Sequence, residues 1–270
     1  MRRLPACFRK CLLLLLVGAV AASLGGCGGY PAERIAGDHR FAAETVTGDP
    51  FVHRVFRNDR SGRVLHVYIE GDGRPWRTRN RVSLDPTPDN PVMLELMTLD
   101  SAPAIYLGRP CYFGVEDARC SPVWWTDRRY AGAVVASLDH VIDRYARNYA
   151  GVVLMGHSGG GTLAVLLAQR RTDVLAVVTL AGNLDTEAWA ARHGYTPLYG
   201  SLNPADQPPL ARGIRQLHLA GARDEVITQE ILEAALAGRP GADLRVIADA
   251  DHSCCWREVW PAVLAEVSGE

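Results

Sequence analysis

The sequence predicts an α/β protein, built on a mostly parallel central sheet with helices on both faces. Three observations carry that prediction. Beyond residue 150, apolar runs of five to seven residues alternate with helix-patterned segments. Runs such as V-V-L-M at 152–155 and V-L-A-V-V-T-L at 174–180 have no polar face, as strands covered on both sides require. Three runs lead straight into a serine, an aspartate and a histidine, at the strand ends where open parallel sheets gather ligand-facing groups. Composition is compatible: 270 residues, 48% hydrophobic and 22% charged, suit a globular chain with a sizeable core. A formal charge of −1 argues against binding nucleic acid through bulk electrostatics.

The chain opens with Arg2, Arg3, Arg9 and Lys10, followed by an apolar run over 11–24. That run is short of the roughly 20 residues a membrane-crossing helix needs, so it reads as a targeting segment. It ends in Leu24-Gly25-Gly26-Cys27, which resembles a bacterial lipoprotein signal. The resemblance implies removal of residues 1–26 and acylation of Cys27, whose two or three acyl chains would anchor stably. Gly28 after the cysteine resembles outer-membrane members, so the expectation is an exported protein anchored to the bacterial envelope. Without the leader the chain carries 25 basic and 30 acidic residues, a net −5. Residues 27–40 read as a polar tether and 41–270 as one domain.

Export implies an oxidising compartment, where disulfides persist. Four cysteines fall in the domain: Cys111, Cys120, Cys254 and Cys255. Four allow three connectivities. A Cys111–Cys120 bridge would close a loop of about ten residues, contributing on the order of 2–3 kcal/mol. The adjacent Cys254 and Cys255 fit either a vicinal disulfide or two small buried hydrophobes. No further C-x-x-C or histidine pair stands at ligand spacing, so no metal is expected.

Within the domain, strands are predicted over 51–56, 64–69 and 102–107. The second is stopped by Glu70-Gly71-Asp72-Gly73. Residues 130–149 place Val134, Val135, Leu138, Val141, Ile142 and Tyr145 at helical spacing. There follow a strand over 151–155, a helix over 160–170 and a strand over 174–180. After a turn-rich insertion over about 181–214 come a strand (216–220), a helix (228–237), a strand (244–248) and a final helix (256–267).

Gly156-His157-Ser158-Gly159-Gly160 is a G-x-S-x-G string between an apolar strand and a small-residue helix. The string alone is weak, but that context suits a nucleophile on a strained turn, facing the free N–H groups of a helix N-terminus. A serine needs a base. His252 and Asp224 each lie just past a later strand end, and the order Ser158, Asp224, His252 matches a hydrolase triad. Asp185 is the alternative acid; Asp251 adjoins His252 and its side chain diverges. His66 and His140 read as packing or surface residues, and His157 as a neighbour with no necessary proton role.

From about residue 40 onward the chain resembles the α/β-hydrolases, and Y-I-E-G-D-G, R-P-C, W-W-T and G-S-L-N-P-A resemble a group of exported bacterial members. The resemblance implies an oxyanion hole from the backbone N–H of Gly159 and a second donor at Asp72, with Gly73 as the fallback. Most members carry His-Gly-x at that loop; here the residues are Glu70-Gly71-Asp72-Gly73. The insertion would be a short cap over a fairly open site. Trp189, Tyr195, Leu198 and Tyr199 either line a pocket or pack the insertion down, and Trp124 and Trp125 are rim or core. Arg109 either binds a substrate carboxylate or pairs with a structural aspartate.

The expected activity is a serine hydrolase acting on an ester, less readily an amide, through an acyl-enzyme and without a cofactor. Its partners would be a small-molecule or acyl substrate and the lipid anchor. Acyl transfer by the same residues, or a non-catalytic binding lipoprotein on this fold, are the alternatives.

Overall fold

The computed structural model describes residues 29–268. The leader and Cys27 lie outside them. In chain order, helix α1 (Pro31–Asp38) leads into strands β1 (Ala42–Thr47), β2 (Val52–Arg57) and β3 (Val64–Ile69), then a hairpin of β4 (Trp76–Thr78) and β5 (Arg81–Val82). Helix α2 (Val92–Met97) precedes β6 (Ala104–Leu107), and α3 (Gly132–Ala146) precedes β7 (Gly151–His157). The remainder is α4 (Gly159–Ala168), β8 (Val174–Leu180), α5 (Thr186–His193), β9 (Arg215–Gly221), α6 (Gln229–Leu236), β10 (Ala242–Ile247) and α7 (Trp260–Ser268).

The main sheet has eight strands in the order β1-β2-β6-β3-β7-β8-β9-β10. From β6 to β10 the neighbours run parallel, while β1 and β2 are an antiparallel extension at one edge. The predicted α/β architecture is therefore the observed one. Strand β3 shows how the faces divide. Leu65, Val67 and Ile69 enter the apolar cluster that includes Val134, Val135 and Leu138 of α3 and Leu163 and Leu167 of α4. His66 and Tyr68 point the other way, where both bond to Asp100 and Tyr68 stacks edge-on to Trp260 of α7. All ten residues of α4 are buried, which explains its run of Gly, Ala, Val and Leu with no polar stripe.

Three local expectations need correction. The tether over 27–40 contains α1: Pro31 suits the first helical position, and Ala32 and Ala36, four apart, bury one face beside α2. The last helix starts at Trp260 rather than 256, because Pro261, lacking an N–H, sits in the first turn. The insertion over 181–214 is more than turns, since it holds α5. Strand β10, at the sheet edge, alternates partly buried and exposed residues through most of its length.

Cys111 and Cys120 are joined, with Cα atoms 5.4 Å apart. Cys254 and Cys255 are also joined, so the choice left open between a vicinal bridge and two thiols falls to the bridge.

Candidate active site

The predicted site residues converge at the C-terminal ends of β7 and β9 and in the loop after β10. Ser158 forms the turn between β7 and α4 with φ +50° and ψ −120°, a conformation strained for any side chain but glycine. Close packing enforces it. A Cβ on Gly156 would lie 2.2 Å from the Gly160 carbonyl oxygen, and one on Gly160 would lie 2.1 Å from that of Ile69. Both outer glycines of the string are thus required by backbone contact.

The Ser158 hydroxyl donates to His252 Nε2 at 3.0 Å. His252 Nδ1 faces Asp224 Oδ2 at 2.8 Å and carries the hydrogen that this carboxylate accepts. The other carboxylate oxygen, Oδ1, accepts from the N–H groups of Val226 and Ile227 at 2.7 and 2.9 Å, which locks its orientation. The Asp224 side chain is fully buried, whereas that of His252 remains 21% exposed.

The competing acids are occupied elsewhere. Asp185 caps α5, accepting from the N–H groups of Glu187 and Ala188. Asp251 accepts from Ser253 and Cys254 N–H groups, which hold its carboxyl below the usual range. His157, read as an incidental neighbour, is bonded into the site. Its Nε2 donates to the His252 carbonyl oxygen at 2.6 Å, and its Nδ1 lies 3.6 Å from Glu70 Oε1.

Asp72 lies against the N-terminus of α4. A Cβ on Gly159 would meet Asp72 Oδ1 at 2.2 Å and the Tyr130 hydroxyl at 2.3 Å. Gly73 is instead turned onto Pro86, whose carbonyl oxygen would lie 2.1 Å from its Cβ. The Asp72 carboxylate is held by Arg109 Nη1, by Arg129 Nη1 at 2.8 Å and by the Tyr130 hydroxyl at 2.9 and 2.7 Å. Burial opposes its ionisation, but Arg129 and Arg109 outweigh burial and hold the carboxyl far below the usual range. Arg109, left open between a substrate carboxylate and a structural aspartate, therefore pairs with the aspartate. Arg129, Tyr130 and Tyr112 were missed by sequence reasoning. The available signal was chemical: a buried acid in the loop after β3 calls for cations.

The aromatic candidates separate. Trp125 is buried and its Nε1 donates to the Ser83 carbonyl, while Trp124 packs edge-on to Phe51. Trp189 and Leu198 pack onto the main core. Tyr195 and Tyr199 stay exposed. Among the described residues no group of His, Cys, Asp and Glu is arranged to hold a metal ion.

No family model matches the chain, and no curated protein does. Solved structures do match in fold. The Pyrococcus furiosus esterase Pf2001 superposes with a TM-score of 0.57 at 12% identity, over 86% of this chain and 91% of that one. An alpha-beta serine hydrolase homologue from Coxiella burnetii gives 0.55 at 14% identity, over 83% and 96%. Esterase LipW from Mycobacterium marinum gives 0.57 at 16%, over 88% and 83%. The fold is that of the α/β-hydrolases.

Proposed function

We propose that the protein is a serine hydrolase that cleaves a carboxylic ester through an acyl-enzyme. One observation carries the reading: the unbroken hydrogen-bond chain from Asp224 through His252 to Ser158, with the serine on a strained strand-to-helix turn. Ser158 Oγ attacks the substrate carbonyl while His252 Nε2 takes its proton. Asp224 keeps Nδ1–H in place and stabilises the imidazolium as it forms. The oxyanion is held by the N–H groups of Gly159 and Asp72, the first of them in the opening turn of α4. The same imidazole returns its proton to the leaving alcohol and then activates the water that releases the acid.

The neighbouring folds include proteins described as esterases, which supports an ester over other acyl substrates. Labelling with a fluorophosphonate probe tests the nucleophile: the wild type is expected to label and Ser158→Ala is not. A wild type that stays unlabelled beside a labelled control hydrolase overturns the reading. A p-nitrophenyl ester series of increasing chain length, set against peptide amides, defines the acyl group.

We also propose that the protein is exported and acylated on Cys27. Two disulfides in the domain are consistent with an oxidising compartment. Metabolic labelling with an alkynyl fatty acid should mark the wild type and spare Cys27→Ser.

A further inference from the structure

We propose that Arg109 and Arg129, acting through Asp72, are positioning residues that set the second oxyanion donor and cancel the unfavourable field of the Asp72 carboxylate. The inference rests on the hydrolase reading above. Its starting point is an apparent conflict. The Asp72 carboxylate packs directly on Gly159, the residue whose N–H is the first oxyanion donor. A bare carboxylate there would oppose the negative charge that develops on the substrate oxygen.

The surrounding groups remove the conflict. Arg109 and Arg129 each engage one carboxylate oxygen and Tyr130 bridges both, so the three charged groups together carry +1. The arginines are fixed in turn. Arg109 lies between the Tyr112 and Tyr130 rings, 5.3 and 5.4 Å from their centroids, and its Nη2 donates to the Arg129 carbonyl oxygen at 3.0 Å. Arg129 Nε donates to the Thr126 carbonyl oxygen at 2.7 Å.

The backbone is held on both sides of the donor. Gly71 N–H donates to Glu70 Oε1 at 3.1 Å, and the Asp72 carbonyl oxygen accepts from the Tyr112 hydroxyl at 2.9 Å. The peptide N–H of Asp72 lies between those two anchors. Glu70, the other carboxylate of this loop, is directed to Met93 N–H and towards His157.

The arginines are not a substrate-carboxylate clamp. The Arg109 side chain is 1% exposed and that of Arg129 6%, while Asp72, at 17%, lies over them. Their effect is therefore on turnover and not on substrate affinity.

The test is steady-state kinetics on the p-nitrophenyl ester that the wild type hydrolyses fastest, together with the affinity of a trifluoromethyl ketone carrying the same acyl chain. The ketone captures Ser158 as a tetrahedral oxyanion. Arg129→Met is expected to lower kcat ten- to a hundredfold, keep KM within threefold and weaken the ketone by the same factor as kcat. Arg129→Lys restores the charge and should recover at least half of the loss on a logarithmic scale. If Arg129→Met does not fold, Tyr130→Phe removes a single hydroxyl from the clamp and should lower kcat and ketone affinity together, three- to tenfold. A folded variant with kcat within twofold of wild type overturns the inference, as does a rise in KM that accounts for the loss. Wild-type turnover with unaffected variants overturns this inference alone; a wild type that neither labels with fluorophosphonate nor hydrolyses esters overturns the hydrolase reading itself.

Discussion

Replacing Gly159 by alanine sets two physical effects against each other within one methyl group. Gly159 is the first residue of α4, where alanine should gain up to about 1 kcal/mol in helix propensity. The added Cβ, however, would lie 2.2 Å from Asp72 Oδ1 and 2.3 Å from the Tyr130 hydroxyl. Ordinary contact begins near 3.4 Å, so these groups must retreat by about 1.2 Å. Neither is free to do so, because the Tyr130 hydroxyl and the carboxylate are bonded to each other and the two arginines hold the carboxylate in place. Overpacking of this kind costs about 1–3 kcal/mol, which exceeds the propensity gain. A net loss of about 1–2 kcal/mol lowers Tm by roughly 2–8 °C in a domain of this size. If the proposed oxyanion hole is right, displacing the Asp72 N–H by about 1 Å should reduce kcat about a hundredfold. The chain supplies its own control. Gly132 is likewise the first residue of a helix, and a Cβ there meets nothing within 4 Å. Gly132→Ala should leave kcat unchanged and keep or raise Tm. Thermal melts and ester kinetics on both variants decide the matter. If Gly159→Ala matches Gly132→Ala in Tm and kcat, the Asp72 carboxylate does not pack on Gly159 and the oxyanion assignment loses its footing.

Asp224→Asn should lower kcat about 10⁴-fold by disturbing the imidazole tautomer. Asp185→Ala should cost only a helix cap, about 0.5–2 kcal/mol, with activity retained; loss of activity there would make Asp185 the triad acid. His157→Leu removes the donor to the His252 carbonyl and should lower kcat about tenfold, whereas His157→Gln keeps an amide donor and should stay near wild type. Equal losses in the two variants would show that this bond does not hold the histidine loop. Burial pulls both His53 and His218 down to about 4. Unfolding returns them to about 6.5, so the unfolded chain binds more protons between these values and stability falls as pH drops through that window. Each group accounts for about 3 kcal/mol by pH 4, and a Tm that stays flat from pH 7 to 4.5 would contradict this.

Much of the framework was legible because the central strands advertise themselves. β3 and β8 begin and end where predicted, since V-L-H-V-Y-I and V-L-A-V-V-T-L are dense in β-branched residues and bounded by turns. β1 escaped notice because A-A-E-T-V-T is short, half exposed and weakly apolar. α1 and α5 escaped because few side chains seat them, Ala32 and Ala36 in α1 and Thr186, Ala190 and Trp189 in α5, which leaves little hydrophobic periodicity to read. At the site, Ser158, Asp224 and His252 could be found because each follows a recognisable strand. The clamp was legible only in part: an aspartate partner was one of two readings for Arg109, but Asp72 meets Arg109 and Arg129 across separations of 37 and 57 residues, through loops without a pattern. His157 shows the same limit, since its partner is a backbone carbonyl, which no sequence motif encodes.

The pairing of all four domain cysteines makes this region silent to thiol chemistry. Maleimides, alkylating agents and the early steps of thiol oxidation find no sulfhydryl there, beside the histidine loop included. A single cysteine introduced at Tyr199, which is 83% exposed, would then be the domain's sole labelling handle. A fluorophore or spin label placed on it would report from the segment between α5 and β9 without background from the rest of the domain.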